Sequence, residues 1–139
     1  MTSNTSFSNE GIWKLSKDII TGANSEILIV NPFVTETDLA KTMINPSKKG
    51  VKVTFITRPN SDKIVQAFHG TLKKVNVHII YNKTVHAKII VVDKAVAFVS
   101  SMNFIPTSSA GQSWEAGMVS MDENVISDIL DSIFQIIEN

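Results

Sequence analysis

The period of the apolar residues changes several times along the chain, and each change marks an element. Ile12, Leu15 and Ile19, with Trp13 and Ile20 beside them, recur at helical spacing between Gly11 and Gly22. That spacing predicts a short amphipathic helix, stopped by the second glycine. Ile27 to Val30 is an unbroken apolar run between Asn24-Ser25 and Asn31-Pro32, the pattern of a strand buried on both faces. Thr35 or Thr37 would cap a helix carrying Leu39, Met43 and Ile44, expected to end before Pro46. Val51, Val53 and Phe55 alternate with Lys52 and Thr54 as a second strand that stops at Arg58-Pro59. Ser61 or Asp62 would cap a helix over Ile64, Val65 and Phe68 that ends near Gly70, and Val75, Val77 and Ile79 alternate as a third strand.

The order helix, strand–helix twice, then strand predicts right-handed crossovers and a largely parallel sheet. The chain then changes style. His86–Val92 and Ala95–Ser100 are apolar strands separated by Asp93-Lys94, spaced for a tight hairpin. Glu115 to Met121 reads as a further strand. Asp122 would cap a last helix with a broad apolar face of Val125, Ile126, Ile129, Leu130, Ile133, Phe134 and Ile137. No linker or repeat divides the chain, which predicts a loose polar arm over 1–9 and one domain over 10–139.

Composition narrows the function. The 139 residues suffice for a real core, and with 43% apolar and 19% charged residues the chain reads as an ordinary globular protein. The absence of cysteine excludes disulfides and thiolate metal sites, and the three histidines at 69, 78 and 86 form no zinc-like cluster. No signal peptide and no membrane span are expected, which suggests a cytoplasmic protein. Thirteen basic residues balance thirteen acidic ones. A protein that grips nucleic acid non-specifically usually has a basic surplus, so phosphate binding here requires a local positive site.

Such a site is legible around His86. His86 and Lys88 are two apart in an otherwise apolar strand, so they share a face about 6.5 Å apart. Asp93 has the opposite parity and sits at the hairpin turn. A lysine buried on a strand needs a negative partner, and a phosphate would serve. Ser100-Ser101-Met102-Asn103 leaves the next strand with short polar side chains suited to an anion. Glu115 offers a carboxylate of the kind that fixes a histidine tautomer and leaves the other ring nitrogen free for attack.

From Val85 to Gly117 the sequence resembles the phospholipase D superfamily, whose pattern is His, any residue, Lys, four residues, then Asp. His86, Lys88 and Asp93 match it, and Ser100 to Asn103 matches the following Gly-Ser-any-Asn element with Ser in place of Gly. Glu115 corresponds to the acidic residue that supports the histidine in small bacterial members. The resemblance implies an αβα sandwich with a mixed, largely parallel central sheet. Members need two such motifs and this chain has one, so it implies a homodimer with both His86 side chains at one phosphate. One His86 would form a phosphohistidine, and the other would protonate the leaving oxygen. Lys88 and Asn103 would hold the phosphate oxygens, Ser101 would add a hydrogen bond, and Glu115 would orient His86. Asp93 would be a structural support. Neither metal nor cofactor is implied.

The expected function is a metal-independent phosphodiesterase acting on nucleic acid, since compact one-motif members are often nucleases. Phospholipid hydrolysis or transfer, and a non-catalytic ligand-binding or assembly module on the same fold, are the alternatives. Trp114 is read as a base-stacking, interface or core residue. Asn31-Pro32-Phe33 is read as cleft rim or plain strand exit, and His69 and His78 as surface residues. Lys48-Lys49 and Lys73-Lys74 are read as solvated groups that begin or flank strands, with nucleic-acid contact as the alternative.

Overall fold

The computed structural model describes residues 8–106 and 113–138, so most of the expected N-terminal arm lies outside it. Five helices occur among the described residues: α1 (Asn9–Thr21), α2 (Asp38–Lys41), α3 (Ile44–Lys48), α4 (Lys63–Lys74) and α5 (Glu123–Glu138). The strands are β1 (Glu26–Val30), β2 (Lys52–Thr57), β3 (His78–Tyr81), β4 (Ile89–Val92), β5 (Val96–Ser100) and β6 (Gly117–Ser120). They form one six-stranded sheet in the order β3-β2-β1-β4-β5-β6. β1, β2 and β3 pair in parallel, whereas β1–β4, β4–β5 and β5–β6 pair antiparallel.

Strand parity divides the core in two. Ile27, Ile29, Val53, Phe55, Ile90, Val92 and Phe98 face a layer that includes Ile12 and Ile20 of α1, Leu39 of α2, and Phe68 and Leu72 of α4. Val30, Ile56, Val91 and Ala97 face the opposite layer, where Ile126 and Ile133 of α5 cover them. Each fully buried Leu, Ile or Phe contributes about 1.5–3 kcal/mol, enough to override weak local preferences.

Two such overrides separate the structure from the sequence pattern. The helix expected to end before Pro46 is two short helices, and Pro46 lies in the first turn of α3, where its missing N–H needs no partner. Thr37 caps α2 by accepting from the Ala40 N–H at 3.1 Å. α4 does not stop at Gly70 but continues to Lys74, because the next turn seats Leu72 in the core. It ends with Asn76 in the left-handed region at φ 70°. The Asn76 N–H then reaches the Lys73 carbonyl and the Val77 N–H the Leu72 carbonyl, a reciprocal pattern that closes helix ends. That cap occupies residues 75–77, so β3 begins only at His78.

The β4–β5 turn is built by Asp93 and Lys94, both left-handed at φ 54° and 52°. Two such residues in succession match the twist of a two-residue hairpin. At the far end of β5, Gly117 of β6 faces the ring of Phe98, and a Cβ there would lie 2.6 Å from it.

Candidate active site

One end of the sheet collects the polar residues. Val30 pairs with Ile56 and Ile89, Thr57 with Tyr81, and Ser100 with Gly117. The exits of β1, β2, β3 and β5 therefore lie level with the entries of β4 and β6. Open α/β sheets place ligands outside the carboxyl ends of their parallel strands.

His86 and Lys88 lie here, in an extended segment that precedes β4 rather than inside it. Lys88 still belongs to the ladder, since its carbonyl accepts from the Ser100 N–H at 3.1 Å. His86 is exposed and Lys88 half-buried. The Lys88 ammonium donates to the His86 carbonyl at 3.2 Å and forms no ion pair among the described residues. Its charge is therefore not neutralised by a carboxylate within the described chain.

The turn after β5 is held from several directions. Ser100, where related motifs carry Gly, accepts from the Met102 N–H at 3.2 Å and so closes the turn. Buried Asn31 donates to the Met102 carbonyl at 3.1 Å and accepts from the Phe33 N–H at 3.2 Å. Phe104 donates to the Phe33 carbonyl, and Thr35 donates to the Phe104 carbonyl. Asn103 is thus carried on a segment stitched to the β1 exit, and among the described residues its buried Oδ1 has no hydrogen-bond partner.

Ser101 and Glu115 meet each other. The Ser101 hydroxyl donates to Glu115 Oε2 at 2.7 Å and accepts from the Ala116 N–H at 3.0 Å. Glu115 is buried, and its own N–H donates to Asn9 Oδ1 at 3.2 Å. Among the described residues no hydrogen bond joins Glu115 to the His86 ring, and the Ser101 hydroxyl also lies 3.4 Å from the Ala116 carbonyl. Trp114, next to it, is 89% exposed.

Asp93 lies at the other end of the hairpin, away from this group. Its carboxylate accepts from the N–H groups of Asn24, Ser25 and Glu26 and from the Ser25 hydroxyl, at 2.7–2.9 Å. Burial works against its charge, but the Glu26, Asn24 and Ser25 donors outweigh it and hold the carboxyl at about 2.

The sequence pattern passed over Arg58. Its Nε donates to the Val85 carbonyl, immediately before His86, and its guanidinium lies 5.1 Å from the Phe33 ring centroid. Its place beside a proline at a strand end gave no signal of this. His69, read as a surface residue, is buried. It shares the apolar stripe of α4 with Val65, Phe68 and Leu72, and its ring meets Phe55 edge-on. Burial pushes its pKa below the ordinary value, partly offset by the Val34 backbone beside it. His78 is exposed. Among the described residues no three His, Cys, Asp or Glu side chains converge as a metal site.

The family model for the phospholipase D-like domain of cardiolipin synthase matches residues 17–137. The chain belongs to the phospholipase D-like family. Its fold is shared with Nuc from Salmonella typhimurium, a phospholipase D family member, at a TM-score of 0.81 and 19% identity, covering 88% of this chain and 84% of that one. NucT from Helicobacter pylori superposes with a TM-score of 0.81 at 17% identity, covering 94% of this chain and 89% of NucT. Phosphatidylserine synthase from Haemophilus influenzae reaches 0.74 at 9% identity, covering 96% of this chain but 36% of the synthase. No curated protein matches in sequence. This phospholipase D-like chain therefore has the scaffold of a phosphodiesterase superfamily, and its motif residues stand at one end of the sheet apart from Asp93. No described helix is long and apolar enough to cross a membrane.

Proposed function

We propose that the protein is a metal-independent phosphodiesterase that cleaves nucleic acid through a phosphohistidine in a site shared by two copies. The observation that carries this reading is the gathering of His86, Lys88, Asn103 and the Ser101–Glu115 pair at one end of the sheet, once per chain. One His86 attacks phosphorus in line and displaces the first product oxygen, which takes its proton from the second copy's His86. Water then attacks the phosphohistidine, giving its proton to that same second imidazole, and the first His86 leaves. Lys88 and Asn103 from both copies meet the non-bridging oxygens, where fixed donors stabilise the charge that develops. Glu115 accepts a single side-chain hydrogen bond among the described residues, from Ser101. It keeps acceptor capacity for an imidazole N–H, and Ser101 acts on the reaction by holding Glu115.

Pairing has physical support besides the single motif. Val99, Met118 and Trp114 are 40%, 72% and 89% exposed, and Val99 pairs with Met118 one step from Ser100 and Gly117. Exposed large apolar side chains grouped in this way suit an interface. Nucleic acid is favoured over lipid because the likeness to Nuc and NucT extends over most of both chains, whereas that to the lipid synthase spans a third of the synthase.

The test is turnover of a chromogenic phosphodiester, single- and double-stranded DNA, RNA and phosphatidylcholine in excess chelator, beside His86→Ala. Cleavage of nucleic acid that persists in chelator and falls by about 10⁴-fold in the variant is expected. Turnover of the lipid alone would overturn the substrate reading, and turnover of nothing in the panel would overturn the enzyme.

A further inference from the structure

Two cation–aromatic pairs stand at successive strand exits beside the site. At the first, the Arg58 guanidinium lies over Phe33, which is 44% exposed, and its Nε is anchored on the carbonyl that precedes His86. The terminal nitrogens of Arg58 have no hydrogen-bond partner among the described residues, so they remain available to an anion. At the second, the Lys73 ammonium lies 5.0 Å from the ring centroid of Tyr81, which is 40% exposed. Tyr81 ends β3, and Lys73 is on the last turn of α4.

The second pair lines a cavity of about 360 Å³ with Asn60, Gln66 and His69. The Tyr81 hydroxyl lies 3.1 Å from Nδ1 of the buried His69. The one carboxylate nearby in sequence, Asp62, is engaged on the N–H groups of Ile64 and Val65 as the α4 cap. Over residues 58–83 the five cations Arg58, Lys63, Lys73, Lys74 and Lys83 stand against this one carboxylate, so the stretch has a positive balance even though the whole chain is neutral.

We propose that a single-stranded nucleic acid runs across this edge of the sheet, with Arg58 and then Lys73 on its phosphates and unpaired bases resting on Phe33 and Tyr81. The track rests on the reading of the His86 site as a nucleic-acid phosphodiesterase, and it names the form of the substrate. Three strand spacings separate the exit of β3 from the entry of β4, about 14 Å. An oligonucleotide of a few residues spans that distance. Base–aromatic stacking needs bases out of the duplex, and it tolerates any sequence because every base has a π-face. A duplex would offer these rings only its backbone.

The experiment measures binding of a labelled single strand of about twelve nucleotides, and of the same sequence as a duplex, to the full-length His86→Ala protein. Turnover of bis(4-nitrophenyl) phosphate by the wild type is followed in parallel. The single strand should bind about tenfold more tightly than the duplex. Tyr81→Ala and Phe33→Ala should each weaken it about tenfold, while Tyr81→Phe retains the affinity. Lys73→Gln and Arg58→Gln should each reduce the salt slope of log K by about 0.7. Lys73 is exposed, so its variant gives a reading that does not depend on packing.

Equal affinity for strand and duplex, with no response to either aromatic substitution, would overturn the track. So would an absence of strand binding accompanied by binding to vesicles of anionic phospholipid, measured on the same protein. Diester turnover accompanied by either result would leave the phosphodiesterase standing without the track. Absence of diester turnover would remove the enzyme reading, and the binding arm would still decide whether the strand lies here.

Discussion

Asp93 is tied into the fold at the hairpin turn, at the other end of the hairpin from His86 and Lys88. Its carboxylate gathers three backbone N–H groups and a hydroxyl from the entry of β1, and its own φ of 54° suits a short polar side chain. The opposite parity of Asp93 to His86 was legible in the sequence, and so was its place at the turn. The partners it holds were not, because they lie some 68 residues earlier. Its pKa is lowered from 3.8 to about 2 on folding. A carboxyl depressed in the folded state adds stability above its unfolded pKa, and that stability is lost as pH falls through the folded value. Asp93→Asn should therefore flatten the dependence of unfolding free energy on pH between about 4 and 2, as read by urea titration at each pH. An unchanged slope would mean that other carboxylates carry it. Ser101 is the residue-scale counterpart within the site. Ser101→Ala removes the donor to Glu115 and leaves the Ala116 N–H unpaired. It should cost about 1–3 kcal/mol of stability and shift the acidic limb of the pH–rate profile. Ser101→Thr should restore both. A loss of stability with an unmoved profile would limit Ser101 to a structural role.

At the level of elements, most strands and helices follow from apolar periodicity, and the departures have local causes. Gly70 sits inside α4 because Leu72, two residues farther on, is fully buried, and that burial exceeds the roughly 1 kcal/mol cost of an internal glycine. His69 was misplaced for a related reason: a polar residue type obscured its position on the stripe of Val65, Phe68 and Leu72. The His86 strand was drawn too long at its N-terminal end, since regular pairing begins at Ile89. Of the candidate site, the motif residues were legible and Asn31 was open between cleft rim and strand exit, whereas the contacts made by Arg58 and Asn31 were not legible. Their roles arise from contacts between strand exits distant in sequence, to the Val85 and Met102 carbonyls. Gly117 tests β6, the strand that follows Glu115. A methyl there would lie 2.6 Å from the fully buried ring of Phe98, so Gly117→Ala should destabilise by about 1–3 kcal/mol. The loss should shrink in a Phe98→Leu background, where room is made. Equal losses in both backgrounds would contradict the close approach as the cause.

For the whole molecule, the neutral net charge and the single motif point the same way. A chain with thirteen cationic and thirteen acidic residues has no general attraction for polyanions. Two copies with their Lys88 and Arg58 side chains turned to one cleft would focus positive potential locally. The exposed Val99, Met118 and Trp114 would lose their contact with water in such a pair. Sedimentation should accordingly show a dimer, and Met118→Lys should weaken it while lowering turnover in the same proportion. The most direct test of the shared site mixes wild-type and His86→Ala subunits, refolded together from denaturant in equal amounts, and measures diester turnover in chelator. If each site needs a His86 from both copies, only wild-type pairs work, and activity is about one quarter of that of the same total amount of wild type. Activity of about one half would mean that each chain works alone, and would contradict the shared site.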